Sequence, residues 1–345
     1  MPALQTAPQL SADTVRPNPT GIFEILNRHQ HTMALKSALD LELFTHIGAG
    51  ATTAQEIAHR SNASERGTRI LCDFLTIMGL LRKVDGEYSL TPDSAAFLDK
   101  ASPSYFGSVK EFITHPAMLS KFSDIAELVR QGGAPQQAAS FEKETDQWVE
   151  FARSMTPMVM LAAKLAAEQL ADASGSQRIL DIAAGSGVFG ISIAQLNPTA
   201  EITAVDWENV LEVARENAIR YGMRHRFNTI AGSAFDADLG GGYDLVLLPN
   251  FLHHFDPPTN VQLLKKARKA LKSEGHLAVV EFVPNDDRIT PPTAAAFSLV
   301  MLANSPNGDA YTLRELNEMF IDAGFRECQR HDLLPTPMTL LVTSQ

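Results

Sequence analysis

The sequence predicts an α/β fold: a mostly parallel sheet covered by helices on both faces, set behind a helical amino-terminal domain. Three observations carry this. From Ile179 to Val283, short apolar runs alternate with stretches of helical spacing. Between the first run and its helix lies Ala183-Ala184-Gly185-Ser186-Gly187, which holds no bulky side chain. Ahead of them, residues 54–91 read as helix, turn, helix, hairpin, the order of a winged helix.

Taken in order, residues 1–20 are polar with four prolines and read as a flexible arm, neither signal peptide nor anchor. Ile22, Phe23, Ile25, Leu26 and then Met33, Ala34, Leu35, Ala38, Leu39 give two helical faces. Thr53 and Glu56 have the spacing of a capping box for a short helix at Ala54–His59. A longer helix at Ser64–Met78 is expected to bury Ile70, Leu71, Phe74, Leu75 and Met78, and Gly79 ends it. Asp85-Gly86 turns a small hairpin between Leu80–Val84 and Tyr88–Thr91. Helical spacing continues through Ser102–Gln131 and again through Trp148–Leu170, where Pro157 permits a bend. The polar linker Asp172–Gln177 marks the main expected boundary. The organisation is therefore an arm (1–20), a winged-helix domain (21–100), a helical linker (101–172), to which the family resemblance given below assigns pocket helices, and an α/β domain (173–345).

In that last domain, strands are expected at Ile179–Ala183, Glu201–Val205, Phe227–Ala231, Tyr243–Pro249 and His276–Val283. Helices fall between them at Val188–Leu196, Val210–Tyr221 and Thr259–Leu271, and follow at Thr293–Ala303 and Thr312–Ala323. Phe325–His331 and Met338–Thr343 leave no room for a helix between them, so they form an antiparallel hairpin at the sheet edge.

Composition narrows the function. Apolar residues are 45% and charged residues 20%, ordinary for a globular protein. The net charge of −11 opposes a nucleic-acid surface. The winged-helix segment Leu41–Leu98 carries five Lys/Arg against seven Asp/Glu, where a DNA reader needs a basic stripe. Packing, against the second domain or another copy, is the expected role. Two cysteines make no disulfide framework and suit a reducing cytoplasm. No apolar stretch is long enough to span a bilayer, no repeat is evident, and no cluster has metal-ligand spacing.

The small-residue loop lets a nucleotide-like ligand approach backbone at the positive end of a helix dipole. Gly185-Ser186-Gly187-Val188-Phe189-Gly190 satisfies G-x-G-x-x-G, and Asp206 follows about twenty residues on, as in a dinucleotide site. Asp181 inside the first strand, the terminal hairpin, and Asn250-Phe251-Leu252-His253-His254-Phe255 after the fourth strand tip the choice toward a methyl donor. On spacing alone His253 is an ordinary polar residue beside a crevice, His254 lies behind it or in solvent, and Met155 and Met301 are core methionines.

From about Gly21 onward the chain resembles the plant-type small-molecule O-methyltransferases, a family that includes caffeic acid and acetylserotonin O-methyltransferases and bacterial relatives of secondary metabolism. The resemblance implies a Rossmann-like methyltransferase sheet, S-adenosyl-L-methionine as cofactor, and a cytoplasmic homodimer joined through the amino-terminal domain, with no nucleic-acid or membrane partner. It places Asp181, Ala183, Gly185 and Gly187 around the cofactor, with alanines at 183 and 184 where glycines are usual. Asp206 falls on the ribose carboxylate, Trp207 beside the adenine, and Asn250 among the cofactor-binding positions. Gly232-Ser233-Ala234-Phe235 matches a motif that reads Gly-Asp-Met-Phe, so Ser233 stands where an acid meets the adenine amine, and Pro249 replaces a lysine.

His253 falls on the family's base and Glu281 on the glutamate that orients it. Direct alignment puts Ala310 at the second acid, so Asp309 serves only after a one-residue slip. Phe151, Met155, Met301 and Ser305 fall on acceptor-pocket positions. A phenol, mostly neutral at pH 7, becomes a nucleophile when an imidazole of ordinary pKa about 6.5 accepts its proton. N- or C-methylation, a non-methylating relative, and a ligand-sensing regulator are the alternatives.

Overall fold

The computed structural model describes residues 17–135, 144–172 and 175–345. Most of the expected arm, and residues 173–174 of the expected linker, lie outside the described residues. The chain divides into two compact units, Met1–Gly107 and Ser108–Gln345.

The first unit holds α1 (Thr20–Asp40), α2 (Leu43–Gly48), α3 (Ala54–Arg60), α4 (Glu65–Ile77), β1 (Leu81–Val84), β2 (Glu87–Leu90) and α5 (Pro92–Phe97). The capping box forms as the spacing predicts, with Thr53 and Glu56 each bonding the other's backbone N–H. Asp85 and Gly86 both take positive φ (51° and 88°), and β1 pairs β2 antiparallel across them. The inward stripe of α4 is Thr68, Cys72 and Leu75, so Ile70, expected inside, is exposed: it lies two residues off that stripe. α5 was not expected, although Thr91 caps it and Pro92 opens it.

The second unit begins with α6 (Val109–Ile113), α7 (Pro116–Lys121), α8 (Ile125–Gln131) and α9 (Asp146–Leu170). The spacing over Ser102–Gln131 is continuous, but Pro116 and the cap Asp124 start new helices, and Gly132 at φ 84° ends the last. α9 runs through Pro157 as one helix. Ala162, Ala163, Ala166 and Ala167 of α9 share one core with Val188, Ile191 and Ile193 of α10 (Val188–Leu196). The main division therefore lies at 107/108 and not at the expected 172/173: an alanine face cannot be buried by a free linker.

The sheet has the order β5-β4-β3-β6-β7-β9-β8. β3 (Arg178–Ile182), β4 (Glu201–Asp206), β5 (Phe227–Ala231), β6 (Tyr243–Pro249) and β7 (Leu271–Glu281) are parallel neighbours. α11 (Glu208–Arg220) and α12 (Pro257–Ala270) complete the crossovers, followed by α13 (Pro292–Asn304) and α14 (Leu313–Asp322). β8 (Gln329–Asp332) and β9 (Thr339–Ser344) form the antiparallel hairpin. Among the described residues only β9 opposes the parallel strands, and it lies inside, between β7 and β8. Its side chains are mostly buried and those of β8 mostly exposed, so the apolar strand takes the inner place. Alternation along β3 sends Leu180 and Ile182 to one core and Ile179 to the other. Among the described residues, no helix is long and apolar enough to cross a membrane.

Candidate active site

The expected site residues gather where β3, β4, β6 and β7 end, the place at which a parallel sheet opens its crevice. β3 delivers Asp181, whose carboxyl is fully buried. Its Oδ2 accepts the Gly190 N–H at 3.2 Å, and its Oδ1 has no partner among the described residues. Burial pushes this acid up to about 8. A Cβ at Gly190 would lie 3.2 Å from Oδ2 and 3.0 Å from Ile202, so any larger residue there makes these neighbours give way by a few tenths of an ångström.

Gly187 caps α10 at φ 73°, where a Cβ would press on Ala214 and the Phe227 ring; a Cβ on Gly185 would meet nothing within 4 Å, leaving that side of the loop open. Ala184 is buried. Ala183 stands at φ 54°, a left-handed conformation that a residue with a Cβ adopts at a cost of about 1–2 kcal/mol. The glycine usual in the family would relax it, against that residue's larger loss of chain entropy. Ala183→Gly is accordingly expected to raise stability by up to about 1 kcal/mol, read from the denaturant midpoint. A lowered midpoint would show that the alanine is not strained.

Asp206, ending β4, accepts the Gly185 N–H on Oδ2 and the Trp207 N–H on Oδ1, both at 2.8 Å. Burial pushes it up to about 6 against these two bonds. The Trp207 side chain packs against a buried cluster of Ala152 of α9 and Val210 and Val213 of α11. Gly232, at φ 138°, donates its N–H to the Asp206 carbonyl. The next residue, Ser233, accepts the Phe235 N–H at 3.2 Å, so its hydroxyl closes the turn that holds Ala234 and Phe235. Asn250, just past β6, is also left-handed (φ 52°), and its side-chain carbonyl is buried without a partner among the described residues.

Leu252–His254 form a single 3-10 turn that presents the histidine. His253 and Glu281 are 5% and 3% exposed, and Nδ1 lies 2.6 Å from Oε2. The other carboxylate oxygen, Oε1, accepts the Phe251 N–H at 3.0 Å and the His253 N–H at 3.3 Å. A carboxylate only accepts, so the proton of the neutral ring sits on Nδ1 and Nε2 keeps a lone pair. Phe297 meets the ring edge-to-face at 4.9 Å, and His254 at 4.2 Å. Gly308 closes against this backbone: a Cβ there would fall 2.2 Å from the His253 carbonyl.

The remaining expected residues divide. Asp309 makes no hydrogen bond to the His253 ring among the described residues; Arg288 takes its carboxylate at 3.0 Å. Ala310, the direct match to the family's second acid, is buried. Ser305 donates to the Met301 carbonyl and accepts the Gly308 N–H, so its buried hydroxyl shapes the loop after α13. Met301 is buried, while Met155 and Phe151 are half-buried on α9, Phe151 with its ring against Trp148 and Phe112. His254 is half-buried: its ring meets those of Trp148, Phe251, His253 and Phe255, and burial holds it well below the ordinary imidazole value. Sequence reasoning missed Phe297 and the two backbone N–H groups on Glu281. Neither leaves a mark in sequence spacing.

The sequence model of the O-methyltransferase domain matches residues 124–326, and that of the O-methyltransferase dimerisation domain matches 23–100. The chain is 30% identical to 3-hydroxy-5-methyl-1-naphthoate 3-O-methyltransferase of Streptomyces sahachiroi over 312 residues, 90% of each protein. A crystallised O-methyltransferase candidate from Nostoc punctiforme PCC 73102 is 48% identical, with a TM-score of 0.91 over 96% of this chain and 100% of that one. Human N-acetylserotonin methyltransferase in complex with SAM shares the fold at a TM-score of 0.81 and 21% identity, over 96% and 99% of the two chains. The chain belongs to the O-methyltransferase family, with its dimerisation domain followed by its methyltransferase domain.

Proposed function

We propose that this protein methylates a hydroxyl of a small aromatic metabolite, with S-adenosylmethionine as donor and His253 as general base. The observation that carries the reading is the buried His253–Glu281 pair at the end of the crevice. The chain offers fitting partners for the donor: the carboxylate of Asp206 for ribose hydroxyls, the unpartnered Oδ1 of buried Asp181 for a cationic amine, and open backbone at Gly185. When bound, S-adenosylmethionine supplies a methyl group on a sulfonium sulfur.

The residues of the chain then have three tasks. The pocket walls hold the acceptor oxygen in line, which matters most in a displacement. Nε2 of His253 takes the hydroxyl proton as the oxygen attacks, worth about 100-fold or more. Glu281 keeps the proton of the resting ring on Nδ1 and stabilises the imidazolium that forms.

We further propose a homodimer formed through the first unit. Ile22, Phe23, Ile25 and Leu26 on α1 are 63–69% exposed, and four large apolar side chains on one short stretch call for a partner surface. The test is transfer of a labelled methyl from S-adenosylmethionine to a panel of phenols, with the product identified by mass spectrometry. An aryl methyl ether is the expected product; a label on ring carbon or nitrogen would overturn the reading.

A further inference from the structure

Lys121, the last residue of α7, is a half-buried cation that the chemistry above does not use. Its ammonium donates to Asn304 Oδ1 at 3.0 Å, joining α7 to the end of α13. The Asn304 amide nitrogen donates to the Val300 carbonyl at 2.8 Å, which fixes the amide with its oxygen toward the lysine. Among the described residues no carboxylate pairs with Lys121, and burial lowers it from its ordinary range with no acid opposing the shift. A partly desolvated ammonium with one neutral acceptor retains two unused donors and an uncompensated charge.

Its position gives that charge a use. Lys121 acts electrostatically on His254, whose ring touches that of His253. Asn304 lies between Met301 and Ser305, where α13 ends beside the Gly308 loop that packs on His253. Ionisable groups in this region include His253, His254 and Lys121, while Glu281 is engaged by His253 and Asp309 by Arg288. One ammonium without an arginine matches a single negative charge and suits a carboxylate better than a dianion.

We propose that Lys121, oriented by Asn304, receives a carboxylate on the acceptor, so that the substrate is a hydroxylated aromatic acid. This rests on the reading of the protein as an O-methyltransferase with His253 as base. The bland competitor is a structural tie between α7 and α13; a tie acts on every acceptor equally, and a charge does not.

The experiment compares wild type, Lys121→Met and Lys121→Arg on matched pairs of hydroxybenzoic or hydroxynaphthoic acids and their primary amides. Methionine keeps the aliphatic stem packed and removes only the charge. Wild type is expected to favour the acid by about 10-fold or more in kcat/KM, the scale of a hydrogen bond to a charged group. In Lys121→Met that preference collapses through a raised KM for the acid, with turnover of the amide as the check on folding, and Lys121→Arg keeps it. Equal losses on acid and amide, or no preference in wild type, would overturn the proposal. Methyl transfer by wild type to neither member of any pair would overturn the underlying reading, and this proposal with it.

Discussion

Glu281→Gln is expected to lower kcat on the order of 1,000- to 10,000-fold while leaving cofactor affinity intact, the scale seen when a charged orienter is made an amide in a hydrolase triad. The reason is in the hydrogen bonds. Oε1 accepts two backbone N–H groups, from Phe251 and His253, so the amide oxygen must take that place. The amide NH2 then faces Nδ1 at the 2.6 Å contact and drives the ring proton to Nε2. A histidine protonated on Nε2 cannot accept from the acceptor hydroxyl. The reversed amide fares no better, because NH2 would face two buried N–H donors. Steady-state turnover together with calorimetric titration of the cofactor checks this. A variant retaining a tenth of wild-type kcat would contradict the orienting role.

His253→Ala is expected to lose about 100- to 10,000-fold in turnover, again with cofactor binding preserved. The deletion also opens space beside Phe297 and strips Glu281 of one of its three hydrogen-bond donors. Leaving a buried carboxylate oxygen unpaired costs about 1–3 kcal/mol, so the melting temperature should fall as well. Added imidazole, entering that space, is expected to restore part of the rate without restoring stability to the same degree. Loss of cofactor binding in this variant, with the fold intact, would mean that His253 serves the donor site and not the acceptor hydroxyl.

The sheet was legible because its signals are local. β5, β6 and α10 begin and end where periodicity and the small-residue loop place them, Asp181 lies inside β3, and Asp206 ends β4. What local pattern cannot carry is which neighbour a segment chooses. Ile70 looks like a core residue by type, yet the helix turns Cys72 and Leu75 inward and leaves it exposed. The terminal hairpin was readable, but its inner and outer strands depend on which of the two has the apolar side chains to bury. The alanine face of α9 looks like an ordinary helix until α10 is set against it.

The site divides in the same way. The placement of Asp206, His253 and Glu281 at the crevice was legible from strand order and the family resemblance, whereas the engagement of Asp309 by Arg288 joins residues 21 apart with nothing in their spacing to announce it. Lys121 and Asn304 are 183 residues apart, and in sequence each is an unremarked polar residue at a helix end. The alanine at 183 was visible as a departure from the usual glycine; only its φ of 54° says what the departure costs.

Nitrogen NMR of the His253 ring tests the central claim most directly, because the account depends on which ring nitrogen carries the proton. In the resting protein the signals should show Nδ1 protonated and Nε2 bare, and Glu281→Gln should exchange the two. A neutral ring protonated on Nε2 in the wild-type protein would contradict the account, since such a histidine has no lone pair to offer the acceptor.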